Sequence, residues 1–305
     1  MNSEIKRVLA VNDLSGYGRV SLTEALPILS AMGVEACPLP TAILSTHTYK
    51  FEDYTFLDMT DEMQKIIAHY KKLGLSFDAV STGYMGDKRQ IDIIYDYIKE
   101  QKADEGGCLA VIDPVLGDNA LSNVQEVYSE RMRELLVSMR HFVSIADIIT
   151  PNLTEACLLL EREYPKGYID EDEALGYLKA LTGMGPKAAV ITSIMTAEDK
   201  MAIGVYNSAD GFFEMIDCGY VNRPFHGTGD IYTAALTGAL VRGMSVKAAS
   251  ECAAKFVRLA IGETLKHPDM PIEKGTAFES VLAPFFSGVD FPVDKPENGN
   301  NGKAD

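Results

Sequence analysis

The chain has 305 residues, 47% hydrophobic and 24% charged, with a formal net charge of −16; that is the balance of an ordinary globular protein with room for one large α/β domain or two smaller ones. The acidic excess excludes a nucleic-acid partner, which needs a basic face, but not a nucleotide, which backbone N–H groups, a metal ion and a few side chains can hold. Five scattered cysteines without a CxxC pair, no apolar run of the roughly 20 residues a membrane span needs, and no signal-peptide pattern over residues 1–7 read together as a cytoplasmic protein with reduced thiols.

In chain order, the apolar run over 8–11 predicts a strand, and Asn12-Asp13-Leu14-Ser15-Gly16-Tyr17-Gly18 is turn chemistry. A helical pattern over 23–32, with Pro27 inside it, stops at Gly33. Strands over 34–40, 79–82, 109–112 and 147–149 then alternate with helices over 61–73, 90–100, 124–142, 154–160 and 171–181. Such alternation implies βαβ units and a mostly parallel sheet. A β-rich run over 188–192 comes next. The runs over 201–206 and 212–216 read as a hairpin about the polar turn at 207–211, and helices rich in small residues follow over 231–242 and 246–265. Residues 287–305 carry two prolines, glycines and three asparagines with little to bury, and read as a disordered tail. No repeat or linker composition divides residues 1–286, which read as a single domain.

An open parallel sheet binds its ligands beyond the carboxyl ends of its strands. The residues found there are Asp13 to Gly18, Thr41 with Ser45-Thr46-His47-Thr48, Gly83-Tyr84, the segment from Asp113 to Asp118, Thr150-Pro151-Asn152-Leu153-Thr154-Glu155, and Ser193. The sharpest feature is Gly227-Thr228-Gly229-Asp230, directly before the helix predicted from 231. Two glycines let backbone approach a ligand closely, and a helix start leaves N–H groups unpaired, which suits a phosphate oxygen. Asp230 places a carboxylate beside it, where it can accept a proton from an attacking hydroxyl; the same four residues also read as a tight loop with an aspartate cap. Asp113, Asp118, Asn152 and Glu155 offer hard oxygens to a Mg²⁺–nucleotide, although Asn152 and Glu155 equally fit a helix cap. Tyr84 can stack on an aromatic ring or simply pack, and His47 and His226 read either as ligand donors or as ordinary loop histidines. The signatures of P-loop NTPases, Rossmann dehydrogenases, protein kinases, α/β-hydrolases and HExxH metalloproteases are absent from the sequence.

Gly227-Thr228-Gly229-Asp230 and Asn152-Leu153-Thr154-Glu155 in this order resemble the ribokinase-like kinases. Ser45-Thr46-His47-Thr48, Thr82-Gly83-Tyr84, the segments 113–118 and 146–152, and Met184-Gly185-Pro186 leading into Ile191-Thr192-Ser193 resemble the pyridoxal kinases among them. The likeness spans about residues 8–265. It implies a three-layer α-β-α fold and transfer of the γ-phosphoryl of ATP to the 5′-hydroxymethyl group of a B6 vitamer. It further implies Asp230 as base, Gly227, Thr228 and Gly229 as anion hole, and Asn152 and Glu155 organising Mg²⁺ through water. Asp113, Asp118, Thr192 and Ser193 would lie at the nucleotide phosphates, and Asp13, Ser15, His47, Thr48 and Tyr84 at the substrate. A homodimer is expected, and a need for K⁺ is left open. In one place the chain departs from pyridoxal kinases, which usually carry Ser-His after Gln there: Asp13-Leu14-Ser15-Gly16 looks more like the Asp-Pro-Ser-Gly of hydroxymethylpyrimidine kinases, which in turn often carry Cys where this chain has Asp230. The competing readings are therefore a hydroxymethylpyrimidine kinase, a sugar or nucleoside kinase, and a non-catalytic protein binding pyridoxal phosphate or a nucleotide.

Overall fold

The computed structural model describes residues 5–103, 107–116 and 130–292. Asp118, the start of the helix expected from 124, and residues 293–305 lie outside the described residues. The strands within them are β1 (Arg7–Ser15), β2 (Glu35–Leu44), β3 (Phe56–Asp58), β4 (Ala79–Thr82), β5 (Leu109–Ile112), β6 (Ile148–Ile149), β7 (Ala188–Ala197), β8 (Lys200–Asn207) and β9 (Phe212–Asp217). The helices are α1 (Leu22–Ala31), α2 (Thr60–Leu73), α3 (Lys88–Ala103), α4 (Glu130–Phe142), α5 (Leu153–Leu160), α6 (Glu171–Thr182), α7 (Thr228–Val241), α8 (Val246–Leu265) and α9 (Glu279–Phe286).

The strands form one sheet in the order β3-β2-β1-β4-β5-β6-β7-β8-β9. The run from β2 to β7 is parallel, whereas β3 at one edge and the β8–β9 hairpin at the other are antiparallel. Successive strand residues point to opposite faces, and both faces are covered. Leu9, Val11, Val80, Ala110 and Ile112 pack with residues of α2 to α6. Val8, Ala10, Ala79, Val111 and Ile148 pack with residues of α1, α7, α8 and α9. This is the expected three-layer α-β-α arrangement, and burial on two faces is why the parallel strands read as continuous apolar runs. Because β1 pairs with β2 on one side and β4 on the other, the strand order reverses there. Such a switch point opens a crevice beyond the strand ends.

Several boundaries differ from expectation. β1 continues through Asn12, Asp13 and Ser15, with a shift of register between Asn12 and Leu14, because Asn12 bonds to Asp230 and Tyr84 and Asp13 to Ser15 and Ser21 instead of turning the chain. α7 begins at Thr228, so Gly229 and Asp230 belong to its first turn. β3 and α9 carry no pattern that the sequence betrays: β3 is three exposed residues, and α9 contains Pro284. At the start of the segment read as a tail, Val289 and Phe291 pack on the second cluster, with the Arg242 guanidinium 4.9 Å from the Phe291 ring centroid.

Candidate active site

Gly227 occupies the position before α7 in the left-handed region, at φ 85°, and no side chain caps the helix. A helix start of this kind presents first-turn N–H groups that no intrahelical carbonyl can reach, at the positive end of the helix dipole. Behind the turn the space is taken. A Cβ on Gly227 would come within 2.5 Å of both carboxyl oxygens of Glu24 and 2.7 Å of the Arg19 carbonyl oxygen, so this position requires glycine for its conformation and for its surroundings alike.

Asp230 is held from two sides. The Asn12 side-chain amide donates to its Oδ1 at 2.9 Å, and the Ser21 backbone N–H donates to its Oδ2 at 2.9 Å. Asn12 is a hub: its Oδ1 also accepts from the backbone N–H of Asp13 at 2.9 Å and of Tyr84 at 2.8 Å. One side chain therefore ties the expected base to the β4 loop that carries Tyr84. A side chain on Gly83 would collide with that of Asn12. Ser21, at φ 54°, completes the frame by donating its hydroxyl to Asp13 Oδ1 at 2.5 Å. Asp13 also accepts from Ser15 at 2.8 Å, and Ser15 is fully buried. Burial raises the Asp13 carboxyl above its ordinary range, against the pull of those hydroxyls.

Asp113 follows β5, buried, with its Oδ2 accepting from the Thr233 hydroxyl at 3.3 Å on the sheet-facing side of α7. Burial first, and then the negative charges of Glu155 and Asp230, push its carboxyl well up. Asn152 and Glu155 form a reciprocal cap on α5: the Glu155 N–H donates to Asn152 Oδ1, and the Asn152 N–H to Glu155 Oε2, both at 2.9 Å. The other Glu155 oxygen accepts from the Leu116 N–H at 2.9 Å, pinning the loop after β5. The capping reading of this pair is thus realised, and the same cap holds a carboxylate near Asp113. Among the described residues no three His, Cys, Asp or Glu side chains converge tightly enough to hold a metal outright. Thr192 and Ser193 fall where the β7–β8 register shifts between Ile191 and Ile194, a bulge of the kind that re-aims side chains beside functional sites.

His47 is buried. Its Nε2 lies 2.6 Å from the Glu273 carbonyl oxygen, and its Nδ1 accepts from the Tyr49 N–H at 3.2 Å. Those contacts fix Nε2 as the protonated nitrogen. Thr48 is exposed, while Tyr84 is half-buried with its carbonyl accepting from the Thr41 hydroxyl at 2.8 Å. His226, beside the glycine turn, packs on Tyr49 with ring centroids 3.6 Å apart and the rings tilted by 39°. Asn12, Ser21 and Glu24 are the site residues that sequence reasoning missed. Asn12 stood among the residues read as turn chemistry, and neither Ser21 nor Glu24 carries any local signal.

The geometry now stands beside known proteins. A family model described as phosphomethylpyrimidine kinase matches residues 26–272. Bovine pyridoxal kinase is 30% identical over 243 residues, covering 75% of this chain and 76% of that one. The chain belongs to the pyridoxal kinase family. A protein of Bacteroides thetaiotaomicron, described as a candidate phosphomethylpyrimidine kinase and crystallised with pyridoxal, is 40% identical with a TM-score of 0.84, over 96% of this chain and 98% of that one. The pyridoxal kinase of Lactobacillus plantarum is 28% identical with a TM-score of 0.81, over 93% and 98%. The fold is accordingly the ribokinase-like one. No helix among the described residues is long and apolar enough to cross a membrane.

Proposed function

We propose that this family member transfers the γ-phosphoryl group of Mg-ATP to the 5′-hydroxymethyl group of a B6 vitamer. The observation that carries the reading is the glycine turn that opens α7 with Asp230 in its first turn, oriented by Asn12 and by the Ser21 N–H. In an in-line transfer, the substrate alcohol oxygen forms a bond to the γ-phosphorus while the bond from that phosphorus to the β–γ bridging oxygen breaks, releasing ADP. Asp230 aligns the alcohol and accepts its proton. The N–H groups at Gly227, Thr228 and Gly229 meet the growing charge on the phosphoryl oxygens. The resemblance also implies Mg²⁺. The hard-oxygen set of Asp113, Asn152 and Glu155 fits a metal carried by phosphates and waters, and when bound the ion would offset phosphate charge. Thr192 and Ser193 on the bulge would contact nucleotide phosphates. Tyr84, His47 and Thr48 would face the pyridine ring, and a homodimer remains the expected assembly.

A second reading, phosphorylation of a hydroxymethylpyrimidine, is favoured by the family model's description and by the segment from Asp13 to Gly16. That segment weighs less than its likeness implies, because Asp13 and Ser15 are buried and spent on each other and on Ser21. The deciding experiment sets pyridoxal, pyridoxine, pyridoxamine and the hydroxymethylpyrimidine side by side with Mg-ATP. A preference for a B6 vitamer supports the main reading. A preference for the pyrimidine replaces it, and no ATP consumption with any alcohol overturns both.

A further inference from the structure

Glu24 stands in the first turn of α1 and is 0% exposed. Neither of its carboxyl oxygens has a hydrogen-bond partner. Both lie 2.5 Å from the point where a Cβ of Gly227 would stand, so the carboxyl fills the space directly behind the phosphate turn. The charged groups around it are Asp230 on α7, Arg19 in the loop before α1, and Glu279 on α9, which itself pairs with Arg19 at 2.5 Å. A buried, unpartnered carboxylate is a costly thing for a fold to carry, and such a group takes up a proton instead. Burial and the neighbouring Asp230 charge both push this carboxyl well above the usual range.

We propose that Glu24 is a positioning residue of the phosphate turn: its protonated carboxyl supports the Gly227 backbone from behind, and its ionisation weakens phosphate binding there. The inference rests on the reading of the α7 turn as the anion hole. A neutral carboxyl fills the space without opposing an incoming phosphate. An ionised one sets a negative charge behind the same N–H groups, and a bound phosphate in turn favours the protonated form. Support of this kind matters because a misplacement of about 1 Å at a reacting centre can cost about 10²-fold in rate.

The test measures pH profiles of kcat and of KM for ATP and for pyridoxal in the full-length protein, with Glu24→Gln and Glu24→Ala beside the wild type. Calorimetric binding of a non-hydrolysable ATP analogue runs in parallel. Glu24→Ala should lower kcat by about 10²-fold and raise the KM for ATP, with the KM for pyridoxal little changed. Glu24→Gln should recover much of that loss and should lack the wild type's weakening of analogue binding at alkaline pH. Three results would overturn the proposal: variants that melt earlier but keep the wild-type pH profile, a glutamine variant no better than the alanine one, or loss of a K⁺ or Na⁺ stimulation in Glu24→Gln with the pH profile unmoved, which would make the carboxyl a cation ligand. If the wild type phosphorylates none of the alcohols, the functional reading fails separately. The analogue-binding profile still decides the role of Glu24.

Discussion

Gly227→Ala tests the construction of the proposed phosphate turn most directly. The backbone there sits at φ 85°, where an L side chain costs about 1–2 kcal/mol. The new methyl would also meet three oxygens, two at 2.5 Å and one at 2.7 Å, and forcing atoms into a filled space costs about 1–3 kcal/mol. The sum is roughly 2–5 kcal/mol. At about 2 °C per kcal/mol for a chain of this size, the melting temperature should fall by roughly 4–10 °C. Gly211 is the control, because it has φ 73° and a Cβ added there would meet nothing within 4 Å. Gly211→Ala should therefore show the backbone cost alone and leave turnover intact. The assays are thermal unfolding and steady-state phosphorylation of pyridoxal. Gly227→Ala should lose about 10²-fold in kcat through displacement of the turn. Combining it with Glu24→Ala removes two of the three collisions and should return part of the stability, a coupling that a double-mutant cycle reads out. If Gly227→Ala melts with Gly211→Ala and keeps its activity, the turn is not built as described.

Asp230→Asn should lower kcat by about 10²–10⁴-fold while ATP-analogue affinity stays within a few-fold; near-full activity would remove Asp230 from the base role. Asn12→Ala withdraws the donor to Asp230 and the acceptor for the Asp13 and Tyr84 N–H groups. It should cost about 1–3 kcal/mol for each polar group left unpaired and lower kcat, whereas a change in stability alone would reduce Asn12 to scaffolding. Burial raises the Glu24 carboxyl in the folded protein. Above its ordinary value of 4.5 the unfolded chain releases a proton that the folded protein keeps, so this group's contribution to stability falls as pH rises toward the folded-state value. The melting temperature of Glu24→Gln minus that of the wild type should grow between pH 5 and pH 8, and a constant difference would contradict the protonated assignment.

What could be read from the sequence depended on how local each signal was. The strands at 8–11 and 109–112 were legible because burial on both faces leaves continuous apolar runs. The glycine turn was legible because its chemistry lies in four consecutive residues. β1 beyond Val11 was not legible: Asn12, Asp13 and Ser15 are turn formers by local preference, and the groups that hold them include Ser21 on the next element and Tyr84 and Asp230, far away in the chain. Glu24 was hidden for a related reason. An acidic residue in a helix's first turn reads as a solvated group favoured by the dipole, and only the packing of α1 against α7 buries it beneath Gly227. Asn152 and Glu155 carried two readings at once, and the cap that the structure displays leaves their proposed role toward a metal standing beside it.

The electrostatics of the site set its last requirement. The α7 turn suits an anion, yet Asp113, Glu155 and Asp230 bring three acidic side chains close to one another, with burial and then the charges of the other two raising Asp113. Arg19, the cation felt by Glu24, is already paired with Glu279. A bare triphosphate entering this end of the sheet would meet like charge on a chain whose net charge is −16, and helix N–H groups contribute only about half an elementary charge. Of those carboxylates, Asp113 and Glu155 belong to the hard-oxygen set proposed for Mg²⁺ and its waters. Binding of an ATP analogue should therefore weaken steeply when EDTA removes divalent cations and recover on adding Mg²⁺, in wild type and in Asp230→Asn alike. Unchanged affinity in EDTA would mean that the α7 turn and unidentified basic groups hold the triphosphate by themselves, and that the acidic cluster has another purpose.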